Sequence, residues 1–253
     1  MKRRLAGFAA GFLLGVFCLL PVSSGLAPQP PAKAKSKKAK KKKCPDPCPV
    51  EGCGGDAELN RQKNRTGEPA AFRLRNFDYF ENLNASAVRK KGRDRWNAEE
   101  RKRVDGLENG DGVTLVGLLY DATLSDKETC NCSRDEPEFR DYHIWLVRSR
   151  ERATKPDSIV VEMTPPIRRG KTGWDDAKLR RLIPPRAWTR VRVRGYLFFD
   201  SEHFDFPTRQ PRRVRASAWE IHPVTEFEVC PAAATCTDGG APGWVKLENL
   251  PAP

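Results

Sequence analysis

The sequence has no glycine-rich phosphate loop and no Gly-x-Ser-x-Gly elbow, which leaves P-loop, kinase and serine-hydrolase chemistry without a foothold. It holds only 3 His, so any imidazole chemistry must come from His143, His203 or His222. Residues 1–43 contain no Asp or Glu but eleven Lys or Arg, so eleven of the thirteen net positive charges sit there and residues 44–253 carry only +2. A domain that nearly neutral lacks the pronounced basic excess of a nucleic-acid binder. What is present excludes other classes. Aromatic residues at 9% and 8 Cys do not fit a wholly disordered or collagen-like chain, and the apolar content allows one modest core.

Lys2, Arg3 and Arg4 precede an apolar run from Leu5 to Val22 and a small-residue site at Gly25-Leu26-Ala27, the pattern of an export signal over 1–27. An uncleaved anchor is the other reading of that run, which Gly7, Gly11 and Gly15 dilute. After cleavage no integral membrane span is expected, and the location is periplasmic or extracellular. Phe17 before Cys18 argues against lipidation. Residues 28–55 read as a disordered linker rich in Pro, Lys and Cys. Its Lys33 to Lys43 tract repels itself and carries nothing to bury, which makes it a spacer with weak attraction for polyanions.

Seven cysteines remain once Cys18 is removed, in a compartment that permits disulfides. Cys230 with Cys236 is the simplest pair. Cys44, Cys48, Cys53, Cys130 and Cys132 share the rest with one thiol over, in a connectivity that spacing leaves open. Asn64, Asn84 and Asn131 match the glycosylation acceptor pattern, which matters only in a host with that machinery.

Residues 56–111 read as a partly helical extension. Asn97 and Glu100 form a capping box for a helix from about Ala98 to Val104. Residues 112–230 then alternate as strands. Val113 to Asp121, with Gly117 inside it, is a long strand that bends and serves two sheets; Tyr142 to Arg148 and Ser158 to Thr164 follow, the latter stopped by Pro165-Pro166. Thr172-Gly173-Trp174-Asp175 starts a helix running to about Ile183. Arg190 to Phe199 alternates with period two, and Ala218 to Val229 completes the set, Pro223 marking an edge or bulge. The order strand, strand, strand, helix, strand, strand predicts a mainly β fold, a five-stranded OB-fold-like Greek-key barrel with one capping helix. Its rival is a small β-sandwich. Residues 231–253 are a C-terminal tail.

The segments GCGGDAELNRQKNR, ETCNC, DYHIWLV, SIVVEMTP, RVRVRGYLFFDSEH and WEIHPVTEFEV resemble a group of uncharacterised bacterial exported proteins. The resemblance implies an OB-like barrel and carries over no functional residues.

Three constellations follow. Cys130, Cys132, His143, His203 and His222 can converge on zinc if the strand ends meet the first loop, although Cys-x-Cys is tighter than the usual ligand gap. Alternatively the histidines fix strand ends, with Asp141 beside His143 and Glu220 beside His222. Tyr142, Trp145, Arg190, Arg192, Arg194, Tyr196, Arg212 and Arg213 form a candidate ligand face of stacking and phosphate-contacting groups, with Arg209 and Arg215 in the same loop as the last two. Residues 113–229 hold 21 basic and 18 acidic side chains, so an ordinary salt-bridged face competes with that reading. The expected function is an exported binding module for an envelope polyanion, oligosaccharide or protein partner, with nucleic acid weakly supported. The alternatives are a metal-dependent phosphodiesterase using Asp200, Glu202, Asp205 and Arg209, and a structural envelope adaptor.

Overall fold

The computed structural model describes residues 43–85, 88, 92–205, 207, 213–232, 234–236, 238 and 242–251. The export signal, the Lys tract up to Lys42, Arg209 and Arg212 lie outside them. No helix among the described residues is long and apolar enough to cross a membrane.

Five strands close a barrel. They are β2 (Gly112–Leu124), β3 (Tyr142–Val147), β4 (Ile159–Met163), β5 (Arg190–Phe199) and β6 (Trp219–Val229). The order around the sheet is β2, β3, β4, β6, β5, and β5 pairs back to β2. All neighbours are antiparallel except β4 with β6. This is the OB-type topology that the strand order predicts. β2 closes the ring because it is long enough to serve two partners: Gly112 to Leu118 pair with β5, and Leu118 to Leu124 with β3. Gly117 sits beside Leu118, where the pairing passes from β5 to β3, and a Cβ on it would lie 2.9 Å from the Phe77 ring and 3.2 Å from the Val147 carbonyl.

The alternating side chains fill the interior. Leu115, Ile144, Leu146, Ile159, Val161, Val193, Leu197, Ile221 and Phe227 are fully buried in one core. On β6 the alternation resets at Pro223, where the pairing with β5 shifts around Gly195. A bulge there matches the proline's lack of an N–H.

Between β4 and β5 the two prolines after β4 start a short turn, α4 (Pro165–Arg168), and then α5 (Asp176–Leu182) follows. The cap of α5 is Asp175, which accepts from the Lys178 N–H; the expected start at Thr172 is displaced because Gly173 has φ 75°, outside the helical region. Trp174 still plugs the core, 3% exposed, its indole donating to Glu248 at 3.0 Å.

The flanking segments are more ordered than composition suggests. The extension contains α1 (Ala57–Lys63), β1 (Arg73–Arg75), α2 (Phe77–Ala85) and α3 (Ala98–Asp105), the last with its expected capping box. β1 pairs parallel with β2, and α2 buries Phe77 and Phe80. Disulfides Cys44–Cys53 and Cys48–Cys132 tie down the end of the expected linker, and Cys230–Cys236 closes the third. Among the described residues Cys130 is the free thiol, and it is buried. The tail returns as β7 (Val245–Lys246) on β6, and Lys178 Nζ donates to the carbonyls of Leu247, Glu248 and Leu250.

A Cβ at Gly195 would lie 2.3 Å from the Pro223 carbonyl and 2.7 Å from Ile221 Cγ2, so β5 and β6 must separate to admit it. Gly195→Ala is expected to lower stability by about 1–3 kcal/mol in urea denaturation, the usual cost of overpacking. An unchanged midpoint would contradict this close approach.

Candidate functional site

Tyr142, Ile144, Val161, Met163 and Ile221 point into the core, so the alternate positions His143, Glu162, Glu220 and His222 share the outer face of β3, β4 and β6. Register then decides which of them meet. His143 is the cross-strand partner of Glu162, and Val161 pairs with Ile221, which sets Glu162 beside His222.

A roof keeps this face from water. The β2–β3 connection folds over it, and α1 clamps that connection. Asn60 on α1 and the helix's C-cap Asn64 lie about one turn apart. Asn60 Nδ2 donates to the carbonyls of Glu51 and Gly54, and Asn64 Nδ2 donates to those of Val50 and Cys130. Lys63 reaches Glu128 at 2.6 Å.

The result is a continuous ionisable cluster. His143 Nε2 lies 3.1 Å from Glu162 and 3.6 Å from Glu128. His222 Nδ1 lies 3.1 Å from both Glu162 and Glu220, and its Nε2 faces Asp141 Oδ2 at 3.9 Å. Asn131 donates to the other Asp141 oxygen at 2.9 Å. Arg215 joins Glu220 at 2.7 Å to Asp200 at 3.3 Å, and Asp200 holds His203 at 2.6 Å. Asp141, Glu162, Asp200, Arg215, Glu220 and His222 are all at most 3% exposed.

The electrostatics follow from burial and pairing. Burial opposes ionisation of Glu162, yet the charges of His143 and His222 hold its carboxyl well below the usual range. Burial likewise works against the His222 imidazolium, but Glu162 beside it raises the pKa to about 10. Asp141 is pushed up to about 7, first by burial and then by Glu128. Burial opposes the Glu128 carboxylate too, but Lys63 overcomes it and brings the pKa down to about 2. Burial and then Asp141 push the Cys130 thiol well above its ordinary value, which makes it a poor nucleophile.

A cavity of about 440 Å3 opens onto one side of the cluster, lined in part by Lys63, Glu128, His143, Glu202 and His203. That volume lies within the usual range for small-ligand pockets, roughly 300–1,000 Å3. Three sets of residues bring possible metal donors within 4.8 Å of one another: Glu128, His143 and Glu162; Glu128, Cys130 and Asp141; and Asp141, Glu162 and His222.

Of the residues singled out for zinc, His143, His222 and Cys130 fall in this cluster, joined by carboxylates. Cys132 is bonded to Cys48 and offers no thiolate. His203 faces the cavity and pairs with Asp200. Of the two expected local pairs, Glu220 does hydrogen-bond His222, whereas Asp141 turns to Asn131 and His222 and leaves His143 to Glu162 and Glu128.

The candidate stacking and phosphate groups are already engaged. Tyr142 is buried beneath the Arg168 guanidinium, and Trp145 donates to the Val214 carbonyl with Lys155 over its ring. Tyr196 lies under Arg65. Arg190 pairs with Asp238, Arg192 with Glu228 and Arg194 with Glu226. Arg213 donates to the Arg215 carbonyl at 3.4 Å. Asn64 and Asn131 are 6% exposed with their amides hydrogen-bonded, so a glycan on either is incompatible with the fold.

Sequence reasoning missed Lys63, Glu128 and Glu162 as members of the site. Glu162 carried a signal: it is the lone charge of an otherwise apolar strand, SIVVEMT, at an outward position. No family model matches the chain and no curated protein does, so its own geometry carries the reading of the site.

A carboxyl depressed in the folded state contributes stability that is present above its ordinary pKa, 4.5, and is lost as pH falls toward about 2. Glu128→Gln removes that contribution and leaves Lys63 buried without its carboxylate. The variant is expected to be less stable at neutral pH and to show a flatter loss of stability between pH 4.5 and 2 in urea titrations. Parallel wild-type and variant acid profiles would contradict the Lys63–Glu128 assignment.

Proposed function

We propose that the chain is an exported OB-type binding module whose ligand is a small polar molecule, an envelope oligosaccharide or a fragment of one, held in the cavity beneath the β2–β3 connection. The observation that carries the reading is the cavity's lining. Lys63, His143 and His203 stand beside Glu128 and Glu202, with the Ser125 and Thr129 hydroxyl oxygens as neutral acceptors. Such a mixture suits a ligand with many hydroxyls better than one of a single charge. Its place against the outer face of β3 and the β2–β3 loop agrees with the surface that OB barrels use for oligosaccharides. Three disulfides support an oxidising compartment, as the signal-like start of the chain does.

The competing readings draw less support. A polyanion or single-stranded nucleic acid needs free basic groups and open aromatic faces. Here Arg190, Arg192 and Arg194 are paired with carboxylates, and Tyr142 and Trp145 are buried under cations. In the phosphodiesterase set, Asp200 is committed to His203 and Arg215.

Calorimetric titration of the purified chain with amino-sugar and neutral glucose oligomers tests the reading. Binding is expected with at least one of these series, and Glu202→Gln together with His203→Ala should weaken it by about tenfold or more, equivalent to roughly 1.4 kcal/mol. Arg192→Ala should leave the affinity unchanged. No binding in either series, or equal affinity in the cavity variants, would overturn it, as would tight salt-sensitive binding of a single-stranded oligonucleotide.

A further inference from the structure

Buried polar atoms without hydrogen bonds are uncommon, because each loses its water without a replacement partner. Two such atoms meet in this one cluster. Asp141 Oδ2 and His222 Nε2 make no hydrogen bond among the described residues. They face each other, 3.9 Å apart on side chains that are 1% and 0% exposed. The separation is too long for a hydrogen bond and short enough for two ligands of one cation, whose bonds to nitrogen and oxygen are about 2.0–2.2 Å.

The other side of the His222 ring is also arranged. Nδ1 lies in hydrogen-bond contact with Glu220 Oε1 at 3.1 Å, and Glu220 is itself held by Arg215. A cation binding here displaces the Nε2 proton of the imidazolium, which leaves the ring proton on Nδ1 and the Nε2 lone pair facing Asp141. A carboxylate behind a histidine is the second layer that metal-binding imidazoles characteristically carry. We propose that Asp141, Glu162 and His222 form a site for a divalent cation of the zinc class, with His222 Nε2 and Asp141 Oδ2 as ligands and Glu220 as the residue that positions the ring.

The donor chemistry selects the ion class. One nitrogen with carboxylate oxygens suits zinc and its neighbours, whereas calcium and magnesium take oxygen ligands in larger number. The cavity reaches the neighbouring groups His143 and Glu128, and His143 touches Glu162. This ligand set differs from the one expected from the sequence: only His222 is common to both. The proposal is independent of the oligosaccharide reading, which depends on Glu202 and His203.

The test is titration of the full chain, stripped with chelator and dialysed, with Zn2+ by calorimetry and with Co2+ by visible absorption. One equivalent of Zn2+ is expected to bind. Glu220→Gln should weaken it about 10- to 100-fold, the usual effect of removing a second-layer partner, and Asp141→Asn and His222→Gln at least as much. His203→Ala should stay within about twofold of wild type. Because variants of a buried cluster can fail to fold, the wild-type chain supplies a second readout: Co2+ should give the ligand-field bands of a protein site, with His222 ring protons shifted in NMR spectra. No equimolar binding by the wild type, or His222 ring protons that Co2+ leaves unmoved, would overturn the proposal. Folded Asp141→Asn and His222→Gln chains that bind as tightly as wild type would do so as well.

Discussion

A carboxylate almost wholly out of water, Glu162, stands 3.1 Å from one imidazole on each side, His143 from β3 and His222 from β6. An isolated buried carboxylate is strongly unfavourable, so the strand that carries it is acceptable only if both partners arrive. Their arrival is fixed by pairing. The antiparallel register of β3 with β4 and the parallel contact of β4 with β6 put the three side chains on one face. A one-residue slip of β4 would turn Glu162 into the barrel core and Val161 to the outside. The same charge cluster therefore specifies both the sheet register and the candidate site.

The roof is the second consequence. Most of the cluster's members come from outside the five strands: Lys63 from α1, Glu128, Asn131 and Asp141 from the β2–β3 connection, and Asp200, His203 and Arg215 from the β5–β6 connection. The connection holds its shape because Asn64 binds the Cys130 carbonyl and Cys132 is bonded to Cys48, a link between positions 84 residues apart. Closing so long a loop restricts the unfolded chain more than a local bridge such as Cys230–Cys236 does. The cysteine-rich stretch that composition marks as linker is thus the fastening of the site's cover.

Much of the barrel was legible in the sequence. β5 has the bounds that its period-two alternation predicts, the Asn97/Glu100 box starts α3, and Pro223 marks the bulge. Where the reading departed, tertiary packing had overridden local signals. Gly173 at positive φ moves the α5 cap from Thr172 to Asp175, and a tail with weak pattern becomes ordered because Lys178 binds three of its carbonyls. The site was only half legible. The histidines and Cys130 stand out by rarity, but Lys63, Glu128 and Glu162 look like ordinary charges until the register and the disulfide bring them together.

Burial sorts the three histidines. His203 is 37% exposed, His143 23%, and His222 fully enclosed behind Asp141, Glu162 and Glu220. Acylation of histidine by diethyl pyrocarbonate, followed site by site with mass spectrometry on the native chain, measures that ordering directly. The account predicts rapid modification of His203, slower modification of His143, and none at His222 until the protein unfolds. Modification of His222 at the rate of His203 would mean that the outer face of β3, β4 and β6 is open to water, and the roofed cluster would not exist.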